Sequence, residues 1–260
     1  MPFFEKKTYC GDLLLVDKYY SMRDGKKTKI HRGENGRLTE AEQQKLNNAH
    51  AQRRLVQLIN TNFSRKQGDI FVTLTYSEPP DDEATAKKHF NRFARKVRAY
   101  RKENSLPDLK YITICEKQGQ VHFHVIMNDL PLKVLDDLWG RGRVTVSTLD
   151  NTYNFKDLAG YLVKQDKQAK IKPNGENVKD ERRKYARRWS SSKNLKTPVE
   201  KKRYIKRVTK TLPKPPKGYR LLPDWEIGSD KWGNLYQHYS CLKLEEALTK
   251  RRKNNVLLKM

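Results

Sequence analysis

The chain has 260 residues, of which 36% are hydrophobic, with 4 Trp, 13 Tyr and 8 Phe, and this is enough apolar material for one large or two modest domains. Its 56 Lys and Arg against 30 Asp and Glu give a net charge of +26, a field that attracts polyanions, so nucleic acid is the expected partner. The sequence contains no long apolar span or signal-peptide core, which favours a cytoplasmic protein without a membrane partner. Its three distant cysteines show no C-x-x-C spacing and suggest neither a disulfide framework nor a thiolate zinc site.

The first segment, residues 1–68, is expected to be an extension that ends in a helix. Thr39 and Glu42 have the spacing of a capping box. Apolar side chains then recur at helical spacing as far as about Asn62. The sequence assigns no chemistry to this segment.

Residues 69–168 are expected to form the core domain. The elements predicted from periodicity and turn residues are a strand at 70–76, a helix, a hairpin of strands 110–116 and 121–127, a helix at 132–139 ended by Gly140, a strand at 143–148 and a helix at about 154–165. This β-α-β-β-α-β-α order predicts an α+β fold with a ferredoxin-like, split β-α-β core. In that arrangement the first and third strands are neighbours at the centre of an antiparallel sheet.

Two histidines occupy the third of these strands. Because side chains alternate along a strand, His122 and His124 leave the same face. In the predicted hairpin, Glu116 lies opposite the His122 end and adds a carboxylate. Two nitrogens and one oxygen make a half-open site for a divalent cation, with positions left for substrate oxygens. Solvated histidines on an exposed strand face are the alternative.

The last helix of the core carries Tyr161 and Lys164, three residues apart and therefore on one face. A phenol beside an ammonium group and near a bound cation is suited to nucleophilic attack on a phosphodiester. The alternative is a packed tyrosine beside a solvated lysine. Tyr153, at the entry to this helix, is the alternative nucleophile.

The third segment, residues 169–260, is strongly basic and contains aromatic residues. Between residues 165 and 220 there are 20 Lys and Arg against 5 Asp and Glu. Basic side chains interleaved with aromatic rings suit phosphate contact and base stacking, although a solvated tail has a similar composition. The expected DNA contacts are Arg182, Arg183, Arg187, Arg188, Trp189 and Lys193. A strand at 231–240 and a short helix at 241–251 are expected to follow.

Three motifs in order resemble those of the HUH endonucleases: the strand 71–76, Glu116 with His122-Phe123-His124, and Tyr161-x-x-Lys164. The similarity is greatest to rolling-circle replication initiators of small single-stranded DNA phages and plasmids, and residues 187–198 resemble a segment that follows the tyrosine helix in them.

The resemblance implies an enzyme that uses Mg²⁺ or Mn²⁺, held by the glutamate and the two histidines, to nick single-stranded DNA at an origin. Tyr161 would stay attached to the 5′ phosphate and leave a 3′ hydroxyl. The resemblance also implies a location in the cytoplasm of a bacterial host, whose replication proteins are further candidate partners. Members with two catalytic tyrosines repeat the residue one turn on, but Asp157 and Gln165 stand four residues before and after Tyr161. The chain therefore resembles a single-tyrosine version, which leaves open how replication ends.

Other classes compete with this interpretation. A cupin also combines H-x-H with a glutamate, but it needs a run of strands, and helices separate the strands predicted here. A non-catalytic module that stacks single-stranded nucleic acid explains the charge but not the glutamate and histidines. Relaxases usually add a third histidine, where this chain has Ile126, and single-tyrosine transposases share the same chemistry.

Overall fold

A computed structural model describes residues 3–21, 40–116, 120–149, 155–164, 189–230 and 232–244 of the chain. It divides the chain into two compact units, one formed by residues 1–43 with 197–260 and the other by residues 44–196. Both contain an antiparallel sheet, so the predicted α+β class is confirmed. Among the described residues, no helix is both long and apolar enough to cross a membrane.

The elements in chain order are β1 (Phe3–Cys10), β2 (Leu13–Tyr20), α1 (Glu40–Asn62), β3 (Ile70–Leu74), α2 (Glu83–Glu103), β4 (Tyr111–Glu116), β5 (His122–Met127), α3 (Leu132–Trp139), β6 (Val144–Thr148), α4 (Lys156–Lys164), β7 (Ser190–Ser191), β8 (Val199–Ile205), β9 (Tyr219–Leu221), β10 (Glu226–Ser229) and β11 (Leu235–Lys243). A short 3-10 helix, Arg65–Gln67, precedes β3.

The sheet of the first unit joins strands from both ends of the chain. Its order is β10-β11-β2-β1-β8, and β9 pairs with β11. One face of this sheet buries Leu14, Val16, Tyr239 and Cys241 against each other. In this sheet, strands from the segment expected at residues 1–68 pair with strands from the segment expected at residues 169–260. The helix predicted from residue 241 is wrong for 241–243, which continue β11, and residues 245–251 lie outside the described part of the chain.

The sheet of the second unit has the order β6-β3-β5-β4-β7. The first and third strands of the predicted core, β3 and β5, are paired at its centre as expected, with Thr73 opposite His124. The arrangement is compatible with a split β-α-β core, to which β7 adds an edge strand. Gly140 ends α3 in a left-handed conformation, φ 55°, and its N–H donates to the carbonyl of Asp136, which confirms the predicted end of this helix.

The two faces of this sheet differ in what they carry. Side chains at alternate positions of β3, β4 and β5 join the apolar sides of α2 and α3 in one core, which includes Val72, Phe123, Phe90, Phe93 and Trp139. The other face carries buried isoleucines together with Glu116, His122 and His124. The candidate ligands therefore lie on strands whose opposite face is packed against the apolar core.

Candidate metal centre and the adjacent tyrosine

The hairpin of β4 and β5 brings the three candidate ligands together. Glu116, the last residue of β4, is directly paired with His122, the first residue of β5. His124 lies two residues further along β5 and therefore on the same face. A cross-strand pair and an alternation of period two are enough to make the three side chains converge.

The ligand atoms form a nearly equilateral triangle. Oε2 of Glu116 lies 2.8 Å from Nε2 of His122 and 3.0 Å from Nε2 of His124, and the two Nε2 atoms are 3.1 Å apart. Adjacent ligands of an octahedral cation with bonds of about 2.1 Å are about 3 Å apart, so this triangle has the size of one face of an octahedral divalent-cation site. It is the single cluster of three His, Cys, Asp or Glu ligands found in the described residues.

Hydrogen bonds on the far side of each imidazole orient the rings. Nδ1–H of His122 donates to the carbonyl of Gln120 at 2.8 Å, which leaves the lone pair of Nε2 for a ligand. Nδ1 of His124 lies 3.2 Å from the hydroxyl of Thr73, and the ring of Phe71 stacks on the same imidazole, with centroids 5.4 Å apart. Such outer contacts fix the tautomer and orientation of metal-binding histidines.

The centre is buried on one side and open on the other. The side chains of His124 and Glu116 are 6% and 9% exposed, whereas that of His122 is 21% exposed. Burial lowers the pKa of His124, although its contact with Glu116 opposes the shift. A lowered pKa favours the neutral imidazole, which is the form that binds a metal ion.

Tyr161 lies against this centre. Its ring meets that of His124 edge to face, with centroids 5.7 Å apart and an angle of 67° between the planes. The residue is 50% exposed, so part of its side chain is accessible to solvent. Lys164 is the last residue of α4, but its side chain is not among the described parts of the chain. Tyr153, the alternative nucleophile, lies outside the described residues.

Helix α4 is fixed by its other faces. Ala159, Leu162 and Val163 are buried. The amide of Gln52 in α1 donates to the carbonyl of Lys156 at 3.1 Å, and a Cβ at Gly160 would come within 2.7 Å of the same amide nitrogen. Because the Gln52 side chain is flexible and can move aside for a Cβ, α4 is held by its buried residues and by this hydrogen bond.

The basic segment expected to grip DNA is only partly described. Arg182, Arg183, Arg187 and Arg188 lie outside the described residues. Trp189 is half-buried and Lys193 is exposed, and between them Ser190 and Ser191 form β7 on the free edge of β4. Ser190 pairs with Thr113, three residues before Glu116 in the chain, so this segment borders the strand that carries a ligand.

Sequence reasoning did not single out Thr73, Gln120 or Phe71. The signal for Thr73 and Phe71 was present, because pairing of the first and third strands places these two residues opposite His124 and Ile126. Gln120 acts through its backbone carbonyl, which no residue pattern reveals.

The fold and the centre thus define an α+β protein whose central strand presents two histidines, with a glutamate from the adjacent strand and a tyrosine beside them. Residues 69–166 match the family model described as Replication-associated protein ORF2/G2P, a rolling-circle replication-associated family. The match extends from the start of β3 to the end of α4 and includes every residue of the centre, and the family name points to a function in DNA replication. No curated protein and no solved structure matches the chain significantly.

Proposed function

We propose that the chain is a rolling-circle replication initiator that nicks and rejoins one DNA strand at an origin. The observation that carries the proposal is the ring of Tyr161 resting on His124, one of three ligands whose donor atoms lie 2.8–3.1 Å from one another. The match to a replication-associated family and the net charge of +26 support DNA as the substrate.

Glu116, His122 and His124 are the residues that would hold the cation. The oxygen and imidazole donors, the spacing near 3 Å and the outer hydrogen bonds suit Mg²⁺ or Mn²⁺. When bound, such a cation polarises a phosphoryl oxygen and stabilises the charge that develops during displacement. With three ligands from one side of the sheet, the remaining positions are free for substrate oxygens.

Tyr161 is the proposed nucleophile. Its phenolic oxygen forms a bond to phosphorus while the bond from phosphorus to the 3′ oxygen breaks, and the proton lost by the phenol is balanced by the proton gained by the 3′ hydroxyl. The product is a 5′-phosphotyrosine, and attack by a 3′ hydroxyl on this linkage reverses the reaction and rejoins the strand. Lys164, one turn further along α4, is assigned the supporting role of stabilising the phosphate or the phenolate.

The basic segment is proposed to hold the DNA that flanks the nick. Arg182, Arg183, Arg187 and Arg188 would contact phosphates, with Trp189 and Lys193 at the start of the described part of the segment. Binding of this kind depends on counterion release and is independent of the metal centre.

Two other functions rest on the same residues. A relaxase or an HUH transposase would use the same chemistry, but Ile126 stands where relaxases place a third histidine, and it is buried among apolar side chains. A non-catalytic single-strand binder would use the charge without the centre. The triangle of donor atoms favours the catalytic alternative, because three converging donors have no role in stacking bases.

The proposal is tested by cleavage of single-stranded oligonucleotides in Mn²⁺, with and without a chelator. We expect cleavage that stops in the chelator and in His122→Ala, while the affinity for DNA is retained because it rests on many Lys and Arg contacts. His50→Ala, at an exposed position of α1, is the matched control and should cleave normally. Cleavage by His122→Ala at the wild-type rate would contradict the metal-centre assignment.

A further inference from the structure

A second cluster of charged side chains lies in the second unit, on the other side of the sheet from the candidate metal centre. A half-open cavity of about 270 Å³ lies between α2, the end of α3 and the loop that follows it. Its walls carry four basic side chains, His89, Arg92, Lys96 and Arg141, and the apolar part of its lining includes Phe93 and Trp139. The volume is below that of a typical site for a drug-sized ligand and suits a phosphate group.

The cations of this cavity are not balanced by acidic side chains. Within the described residues, neither Arg92 nor Arg141 forms an ion pair with a carboxylate, and Lys96 donates to the carbonyl of Leu138 at 3.2 Å. The two arginines also disfavour protonation of His89: burial lowers the pKa of His89, and their charges lower it further. An anion bound among these cations would offset the repulsion between their charges.

The loop that carries Arg141 is held in place by its backbone. Gly142 has φ 153°, and a Cβ there would lie 2.6 Å from the carbonyl oxygen of Thr75 and the nitrogen of Ser77. The N–H of Ser77 donates to the carbonyl of Arg141 at 2.9 Å, and Nε1–H of Trp139 donates to the carbonyl of Thr75 at 2.7 Å. The loop that lines the cavity is therefore hydrogen-bonded to residues 75–77, which follow β3.

Two residues connect the cavity to the metal centre. The ring of Tyr76 contacts the rings of His89 and Trp139, with centroids 5.8 and 5.0 Å away. The carbonyl of Tyr76 accepts a hydrogen bond from the side-chain amide of Gln120 at 2.9 Å, and the carbonyl of Gln120 in turn accepts one from Nδ1–H of His122. The cavity and the ligands therefore lie at the same end of the sheet, on either side of this connection.

We propose that this cavity binds a backbone phosphate of the DNA strand whose scissile phosphate lies at the metal centre. Arg92 and Arg141 contact its oxygens, since two guanidinium groups without carboxylate partners suit a phosphodiester. The site positions the strand and takes no part in the chemistry. This inference rests on the proposed nicking function, because it assigns the cavity to the same substrate.

The test compares the full-length double variant Arg92→Gln/Arg141→Gln with Arg95→Gln/Lys102→Gln, which removes the same charge from exposed positions of α2 that do not line the cavity. Binding of a 5′-labelled oligo(dT) is measured by fluorescence anisotropy in a chelator over a range of salt concentrations. We expect the cavity variant to bind about tenfold more weakly than the control variant. Its log-log salt slope should be smaller by about 0.7, the value for one single-strand phosphate.

The second measurement locates the phosphate. Oligonucleotides that carry one neutral methylphosphonate at successive positions around the nick should reveal one position where the wild type and the control variant lose affinity and the cavity variant does not. Equal affinities and slopes for the two variants would overturn the proposal. The proposal would also be overturned if inorganic phosphate raised the Tm of the wild type but not of the cavity variant, while the two variants bound DNA equally well. The ligand of the cavity would then be a free anion.

The outcomes separate this proposal from the nicking function. Binding in the chelator needs no cleavage, so a chain that binds DNA through the cavity but never cuts would refute only the nicking function. If the wild type cuts DNA but the cavity and control variants bind it equally well, only the phosphate site in the cavity would be refuted.

Discussion

Replacement of Glu116 by glutamine tests the metal centre at the ligand that touches both histidines. Its Oε2 lies 2.8 and 3.0 Å from the two Nε2 atoms, so the variant keeps the shape of the side chain and removes its charge. Mutations of groups that only orient a ligand weaken metal binding by about 10–100-fold. Loss of the single anionic ligand should therefore cost at least about 100-fold in affinity for Mn²⁺.

The expected size of the effect on thermal stability follows from linkage. At a Mn²⁺ concentration 100 times the dissociation constant, binding stabilises the wild type by about 2.7 kcal/mol. With a 100-fold weaker site the same concentration stabilises the variant by about 0.4 kcal/mol, which is a difference of about 2.3 kcal/mol. For a chain of this size the difference corresponds to about 5–9 °C in the Mn²⁺-induced rise of Tm.

The assay is differential scanning fluorimetry with and without Mn²⁺, together with titration calorimetry for the affinity. Glu78→Gln, at an exposed position outside the centre, is the matched control and should keep the whole rise of Tm. Equal Mn²⁺-induced shifts in wild type and Glu116→Gln would refute the assignment of this cluster as the metal centre.

Three further predictions concern residues around the centre. Thr73→Val removes the hydroxyl 3.2 Å from Nδ1 of His124 and should weaken Mn²⁺ binding about tenfold by calorimetry, whereas Thr145→Val on the exposed side of β6 should not. Gly142→Ala should lower Tm more than Gly233→Ala. Both residues have positive φ, where a side chain costs about 1–3 kcal/mol, but only the Cβ at 142 would meet backbone atoms at 2.6 Å. Equal losses of Tm would contradict that close approach. Neutralising the four arginines between 182 and 188 should flatten the salt dependence of single-stranded DNA binding by about 0.7 in log-log slope for each phosphate that the variant no longer binds, and an unchanged slope would favour a solvated tail.

The second unit could be predicted from the sequence because its elements are local and strongly patterned. The hairpin of β4 and β5 is closed by a short loop, so the alternation of period two was enough to place Glu116 opposite His122. The ends of α3 and β6 followed from turn residues such as Gly140. These are features that a few consecutive residues determine.

The first unit could not be predicted because its strand pairs are distant in sequence. β1 pairs with β8 across almost 200 residues, with Phe4 opposite Tyr204, and no local pattern selects such partners. Cys241–Lys243 form strand rather than helix for the same reason, since pairing with β2 and β9 overrides their local preference. The cavity beside α2 also depends on tertiary packing, because Arg92 and Arg141 are 49 positions apart.

The proposed function depends most directly on a covalent bond between Tyr161 and DNA. Wild-type protein is incubated with a single-stranded substrate and Mn²⁺, the product is digested with protease, and the residue that carries the nucleotide is identified by mass spectrometry. We expect the nucleotide on Tyr161 and a free 3′ hydroxyl on the other fragment. Tyr161→Phe keeps the ring contact with His124, so it should fold and bind DNA but form no adduct. Lys164→Ala should slow the reaction and still form it. Cleavage without any adduct would indicate hydrolysis by water, and a nucleotide on Tyr153 or another residue would contradict the assignment of Tyr161.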